Sequence, residues 1–175
     1  DQAVLACALK KDMLQHNKNR VFGLGQPVAL IKCESSSKTA GGDSGDRNSG
    51  LPRSIILCKG TVFRLTANLW TEAGLTNGAI GIVQSILYLP GTKPPQLPYA
   101  VLATFEAYRG PPFMANLPKS VVITPIKRPW VEGKGQKTQW RISLPMILGY
   151  ALSIHKLQGS TVEKIIVNAS DKEFA

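Results

Sequence analysis

A lysine, a histidine, an amide and two hydroxyls stand around one glycine in the run Ala151-Leu152-Ser153-Ile154-His155-Lys156-Leu157-Gln158-Gly159-Ser160-Thr161. Backbone N–H groups freed at a glycine, hydroxyls and a cation are what a phosphate-contacting loop offers. The same composition also serves a solvated turn whose histidine caps a helix, a commoner use of polar glycine-containing loops. A second group lies upstream. Ile126 to Arg141 holds Lys127, Arg128, Lys134, Lys137 and Arg141 with Trp130 and Trp140 interleaved, the make-up of a hairpin that neutralises phosphates and stacks bases. A solvated loop with both tryptophans packed inward fits that run equally, because Trp is mostly buried even among charged neighbours. Within it, Gly133-Lys134-Gly135-Gln136-Lys137-Thr138 imitates a nucleotide loop, but it lacks the G-x-x-x-x-G-K-[ST] spacing and no buried strand leads into it.

Charge agrees with a polyanionic partner. Twenty-one basic residues against eleven acidic ones give a formal charge of +10 and a pI near 9.7, which favours nucleic acid. Eight of the basic residues fall between Lys119 and Lys164, with only Glu132 and Glu163 against them. Cys7, Cys33 and Cys58 are odd in number and have no C-x-x-C spacing, so they read as reduced, buried thiols rather than a disulfide frame or zinc site. No run is long enough to span a bilayer, and no secretory leader pattern opens the chain. A nuclear or cytoplasmic setting without membrane contact is expected.

These groups need a scaffold, and 175 residues with 43% apolar content suffice for one domain or a domain carrying an insertion, not a two-lobed motor. Leu5, Leu9 and Met13 at fourfold spacing predict an amphipathic helix from about Asp1 to His16. Pro27 to Cys33 reads as a buried strand. Glu34 to Gly50 is Ser-, Gly- and Asp-rich without aromatics, predicting a mobile loop. Ser54 to Cys58, Val62 to Ala67, Ala79 to Tyr88, Tyr99 to Phe105 and Ser120 to Pro125 read as strands separated by Gly, Pro and Asn clusters, a spacing that suggests a small barrel. Thr76-Asn77-Gly78 and Leu89-Pro90-Gly91 are its candidate turns, and Tyr108-Arg109-Gly110-Pro111-Pro112 another. Pro145 to Ile154 has helical spacing, and Lys164 to Asn168 reads as a buried strand. The pattern is open at both Asp1 and Ala175, so the chain reads as a fragment.

The run from Ala151 to Thr161 resembles motif V of superfamily-one helicases of the RecD and PIF (petite integration frequency) branch, A-x-T-I-H-K-S-Q-G-x-T. Lys59-Gly60-Thr61-Val62-Phe63-Arg64-Leu65-Thr66-Ala67-Asn68 followed by Gly74-Leu75-Thr76-Asn77-Gly78-Ala79-Ile80-Gly81-Ile82-Val83 resembles the K-G-x-x-V-M-L-x-x-N and L-V-N-G-x-x-G-x-V of PIF-type DNA helicases. It is especially similar to the helicase region of Helitron-like elements. Arg141 to Pro145 is similar to the family's R-x-x-L-P-L element, and Lys172-Glu173-Phe174 to its K-E-F. Leu157, Gly149-Tyr150 and Arg64 depart from the pattern, which has Ser, Ala-Trp and an apolar residue there.

The resemblance implies an α/β fold: a partial RecA-like second motor lobe, residues 1–53 with a mobile loop at 34–52 and residues 142–175 with motif V, interrupted over 54–141 by a small Src-homology-3-like β-barrel. It implies that Ser153, His155, Lys156, Ser160 and Thr161 face single-stranded DNA, and that Gln158 and Gly159 approach the terminal phosphate of the nucleotide as catalytic residues. Lys127, Arg128, Trp130, Lys134 and Lys137 are the further DNA-binding candidates. The intact protein is then expected to be a 5′ to 3′ ATP-dependent DNA helicase of repair or recombination, using ATP and magnesium and partnered by its own upstream first lobe. The fragment has no P-loop and is expected to bind no nucleotide and to be inactive alone. Two other readings stay open: a non-enzymatic nucleic-acid-binding module from a decayed helicase, and a protein-interaction barrel whose charge only aids solubility.

Overall fold

The computed structural model describes residues 3–7, 9–38, 40–42, 49–132, 137–153 and 164–168. The two ends of the chain meet in one parallel sheet. Strand β1 (Val4–Cys7) lies between β12 (Ala151–Ser153) and β13 (Ile165–Asn168), with Leu5 opposite Ala151 on one side and Ile166 on the other. Helix α1 (Lys10–Phe22) follows β1 and packs back on β1 and β12. The helix expected from about Asp1 to His16 is therefore corrected. Val4, Ala6 and Cys7 are buried in a strand with partners on both edges, and that pairing outweighs the local fourfold spacing. The helix starts only after Leu9, and its buried stripe is Asn17 and Val21 flanked by half-buried Met13 and His16.

Between the ends the chain is β. Strands β5 (Val62–Leu65), β6 (Ile80–Leu87), β7 (Ala100–Phe105) and β8 (Ser120–Ile123) form an antiparallel meander, and β11 (Met146–Leu148) adds to the free edge of β5 in the order β11-β5-β6-β7-β8. The expected strand at Ser54–Cys58 exists as β4 (Ser54–Leu57), but it pairs with β2 (Ala29–Lys32) instead of joining this sheet. Ile31, Ile55 and Leu57 still bury into the same core as Phe63, Val83, Val101, Phe105 and Met146. The helix expected over Pro145 to Ile154 is corrected as well. That run supplies two short strands in different sheets, joined at Gly149-Tyr150, because each finds an open strand edge to satisfy its backbone. The resulting architecture is mixed and sheet-rich with α1 as its long helix among the described residues.

Two glycines show why the turn and meander hold their shape. Gly78 has φ of 90° and donates to the Leu65 carbonyl at 2.8 Å, closing the turn foreseen at Thr76-Asn77-Gly78. Gly81 sits under the edge-to-face pair of Phe63 and Phe105, whose centroids are 5.5 Å apart. A β-carbon there would lie 2.6 Å from Phe63 Cζ and 2.8 Å from Phe105 Cε1. Both rings are enclosed by core, so Gly81→Ala is expected to cost about 1–3 kcal/mol, read as a lower urea midpoint. An unchanged midpoint would mean the aromatic pair relaxes freely.

The Ser/Gly-rich stretch after Cys33 departs from the expected loop at its start. Glu34–Ser35 form strand β3 against β10 (Lys137–Ser143), and the hydroxyls of Ser36 and Ser37 donate to Gln139 Oε1. The carbonyls of Ala40, Gly42 and Leu51 are held by Arg141. Its described residues are ordered by polar side chains reaching in from β10, a source of order that apolar content does not register. Cys7 and Cys58 are buried reduced thiols and Cys33 is a half-buried one.

Candidate nucleic-acid interface

The basic run after Pro125 is a hairpin of β9 (Ile126–Glu132) and β10, and its register sorts the candidates by face. Directly paired residues share a face and neighbours along a strand alternate. Lys127 opposite Ile142, Pro129 opposite Trp140 and Val131 opposite Thr138 make one face. On it the Lys127 ammonium lies 4.7 Å from the centroid of the Trp140 ring, a cation–π contact that holds the charge at an exposed position. Arg128, Trp130 and Lys137 belong to the other face together with Gln139 and Arg141. Arg128 and Lys137 remain exposed there, whereas Trp130 is half-buried and its indole N–H lies inside with no acceptor.

Strands β9 and β10 pair antiparallel, while Trp130 and Trp140 are both half-buried, so features of both readings are present. The hairpin does not gather its cations on one side: Lys127 is parted from Arg128 and Lys137, and Trp130 is partly packed inward. Trp140, half-buried beneath Lys127, was not among the candidates. Its signal was the alternation of the strand, which places Lys127 and Trp140 on a common diagonal once the hairpin register is known.

Ser153 ends β12 opposite Cys7 and is half-buried. It belongs to the parallel sheet, away from the hairpin's sheet in the hydrogen-bonding order. Lys134, His155, Lys156, Gln158, Gly159, Ser160 and Thr161 lie outside the described residues. The mount from which that segment departs is built on Gly149 and Tyr150. The Gly149 N–H donates to the Val62 carbonyl at 3.0 Å, the Val62 N–H donates to the Tyr150 hydroxyl at 3.0 Å, and the Leu5 N–H donates to the Tyr150 carbonyl at 3.0 Å. Burial pushes the Tyr150 hydroxyl above its ordinary pKa, which keeps it a neutral hydrogen-bonding phenol. Arg20 of α1 stacks on the Tyr150 ring at 5.3 Å. A cavity of about 140 Å³ opens at this seam, walled by Leu5, His16, Arg20, Val62, Tyr150 and Ile166 among others. His16 is held below its usual pKa by burial and by the charge of Arg20, so it stands neutral near pH 7. Among the described residues no group of His, Cys, Asp or Glu is placed to hold a metal ion, and no helix is long and apolar enough to cross a membrane.

The fold is similar to that of a segment of Pif1 helicases of known structure. The crystal structure of Pif1 helicase from Candida albicans matches 95% of this chain and 38% of that one, with a TM-score of 0.69 and 19% identity. Bacteroides Pif1 helicase in complex with ADP-AlF3 and single-stranded DNA matches 97% of this chain and 34% of that one, with a TM-score of 0.64 and 17% identity. In sequence the chain is similar to ATP-dependent DNA helicase PIF1 of Danio rerio, 27% identical over 166 residues. That match covers 95% of this chain and 23% of the zebrafish protein, so the chain spans about a quarter of its length. No protein-family model matches the chain. The resemblance to PIF-type helicases drawn from the motifs is borne out over nearly the whole chain.

Proposed function

We propose that the intact protein is an ATP-dependent DNA helicase that moves 5′ to 3′, and that this chain supplies strand grip and part of the nucleotide sensor. The observation that carries this is the match over 97% of the chain to a helicase captured with a nucleotide mimic and single-stranded DNA. The exposed cations Lys127, Arg128 and Lys137 and the net charge of +10 fit the same partner. In this reading the parallel sheet at the chain ends is part of the second RecA-like lobe. The sheet β11-β5-β6-β7-β8 is the inserted Src-homology-3-like barrel, near residues 54–141. Ser153, His155, Lys156, Ser160 and Thr161 face DNA, with Gln158 and Gly159 at the terminal phosphate. The sequence has no G-x-x-x-x-G-K-[ST], so ATP and magnesium are held by the first lobe elsewhere in the protein. A Helitron-like parent, a nuclear or cytoplasmic setting and work in repair or recombination belong to the same proposal.

The test is a pair of substitutions in the intact protein. Lys156→Ala should weaken single-stranded DNA binding by about 1.5–3 kcal/mol and flatten the dependence of log affinity on log salt by about one. Gln158→Ala should leave DNA affinity and its salt slope in place and reduce turnover, because an amide near the terminal phosphate acts on the transition state. Equal losses of affinity, turnover and melting temperature in both variants would sink the assignment. DNA binding that ignores salt, with no ATP hydrolysis, would favour a protein-interaction barrel.

A further inference from the structure

Helix α1 carries a polar residue where its packing stripe calls for an apolar one. Asn17 is four residues after Met13 and four before Val21, and only 4% of its surface is exposed. Asparagine is a poor helix former, and a buried carboxamide is costly unless both its ends are satisfied. Here both ends meet one residue 134 positions away. Asn17 Nδ2 donates to the Ala151 carbonyl at 2.9 Å, and the Ala151 N–H donates to Asn17 Oδ1 at 2.9 Å.

The geometry of β12 explains why that residue needs a partner. Among the described residues β12 is an edge of the parallel sheet. The Leu5 N–H bonds the Tyr150 carbonyl, so in a parallel ladder the peptide groups of Tyr150 and Leu152 face β1, and those of Ala151 face outward. An unpaired edge leaves strand register weakly specified, and a slip of one residue would turn Ser153 to the opposite face. Asn17 acts as one peptide unit of a missing neighbour strand. It fixes β12 two residues before Ser153, while Tyr150 fixes it one residue before Ala151 through Val62.

We propose that Asn17 is a positioning residue for DNA-coupled turnover: its amide clamp on Ala151 sets the register and exit direction of β12, and so the placement of the residues that follow Ser153. This rests on the reading of motif V as the contact to DNA and nucleotide. Asn17 itself touches neither.

In the intact protein, Asn17→Leu keeps the branched shape of the side chain, with somewhat more bulk, and removes the clamp, and Asn17→Ala removes both. The kcat of DNA-stimulated ATP hydrolysis should fall about 10- to 100-fold in each, as expected for small misplacements of reacting groups. The KM for ATP should change less than kcat, since in this reading the P-loop that holds most of the nucleotide is on the first lobe, and Gln158 and Gly159 act at its terminal phosphate in the transition state. Affinity for a single-stranded oligonucleotide should fall with kcat. Asn17→Leu should lose less melting temperature than Asn17→Ala while losing as much DNA-stimulated kcat, a split that a purely structural residue would not produce. Losses of kcat that track melting temperature across the two variants, or wild-type kcat in Asn17→Leu, would overturn the proposal. Lys156→Ala, measured beside them, separates the two ideas. If it weakens DNA binding while the Asn17 variants do not, the clamp alone is wrong; if it leaves binding intact, the motif V reading fails and the role of Asn17 with it.

Discussion

Arg141→Met is expected to destabilise the chain by about 3–5 kcal/mol, the largest effect of any single side chain described above. Arg141 is fully buried on β10, and its guanidinium is spread over three backbone carbonyls. Nε donates to the Ala40 carbonyl at 3.0 Å and Nη1 to that of Leu51 at 2.7 Å; Nη2 reaches Ala40 at 2.6 Å and Gly42 at 2.7 Å. Ala40 and Leu51 are themselves buried, so methionine would fill the volume yet leave their carbonyls without a donor. Each such orphan costs about 1–3 kcal/mol, and bonds from a charged donor are the stronger kind. Arg141→Lys should recover less than half of the loss, because a single ammonium cannot reproduce the fork across carbonyls on both sides of the Ser/Gly-rich stretch. Equilibrium urea unfolding of the three proteins measures this. Hydrogen exchange should also show the backbone around Ser36 to Ala40 opening first in Arg141→Met. A loss under about 1 kcal/mol would mean the stretch is held by other contacts, such as Ser36 and Ser37 on Gln139.

Arg141 also marks where sequence reading stops. The meander strands were legible because alternating apolar positions and turn residues act over a few residues, and β5 to β8 fall close to the runs that predicted them. Contacts between distant parts of the chain were not. Val4–Cys7 is a strand because β12 and β13, some 145 to 160 residues later, flank it, and no local window holds that information. The same holds for the described part of the run from Pro145, whose helical spacing yields to two sheet edges, and for Ser36, Ser37, Ala40 and Gly42, which are held by Arg141 and Gln139 a hundred residues away. At the candidate site, residue types disclosed the hairpin, but its register decides which cations share a face. Asn17 was invisible to motif reading, since its role lies in a bidentate contact to a backbone peptide. Its one local signal was an amide at helical spacing between Met13 and Val21.

Arg64→Met, in contrast, is expected to stabilise the chain by about 1–4 kcal/mol, the range seen when buried charge gives way to well-packed apolar volume. Arg64 is 4% exposed in the fully buried strand β5. Among the described residues its guanidinium makes one hydrogen bond, from Nη1 to the Gly78 carbonyl at 3.3 Å, while Nε and Nη2 are buried and meet no acceptor. Burial lowers its pKa from the ordinary arginine value, and no carboxylate among the described residues offsets that. An arginine stays charged at any working pH, so the desolvation and the two unmet donors act against the folded state throughout. Methionine has similar reach, no charge and the flexibility to fill the slot between Ile80 and Ile147, its cross-strand partners. The melting temperature should rise by about 2–4 °C per kcal/mol for a chain of this size. Arg64→Ala should instead fall below wild type, since removing the stem opens a cavity in the sheet's packing. A lower melting temperature in Arg64→Met would show that the two donors are satisfied in solution, by an ordered water or by an acceptor from elsewhere in the protein, and that the guanidinium contributes to stability.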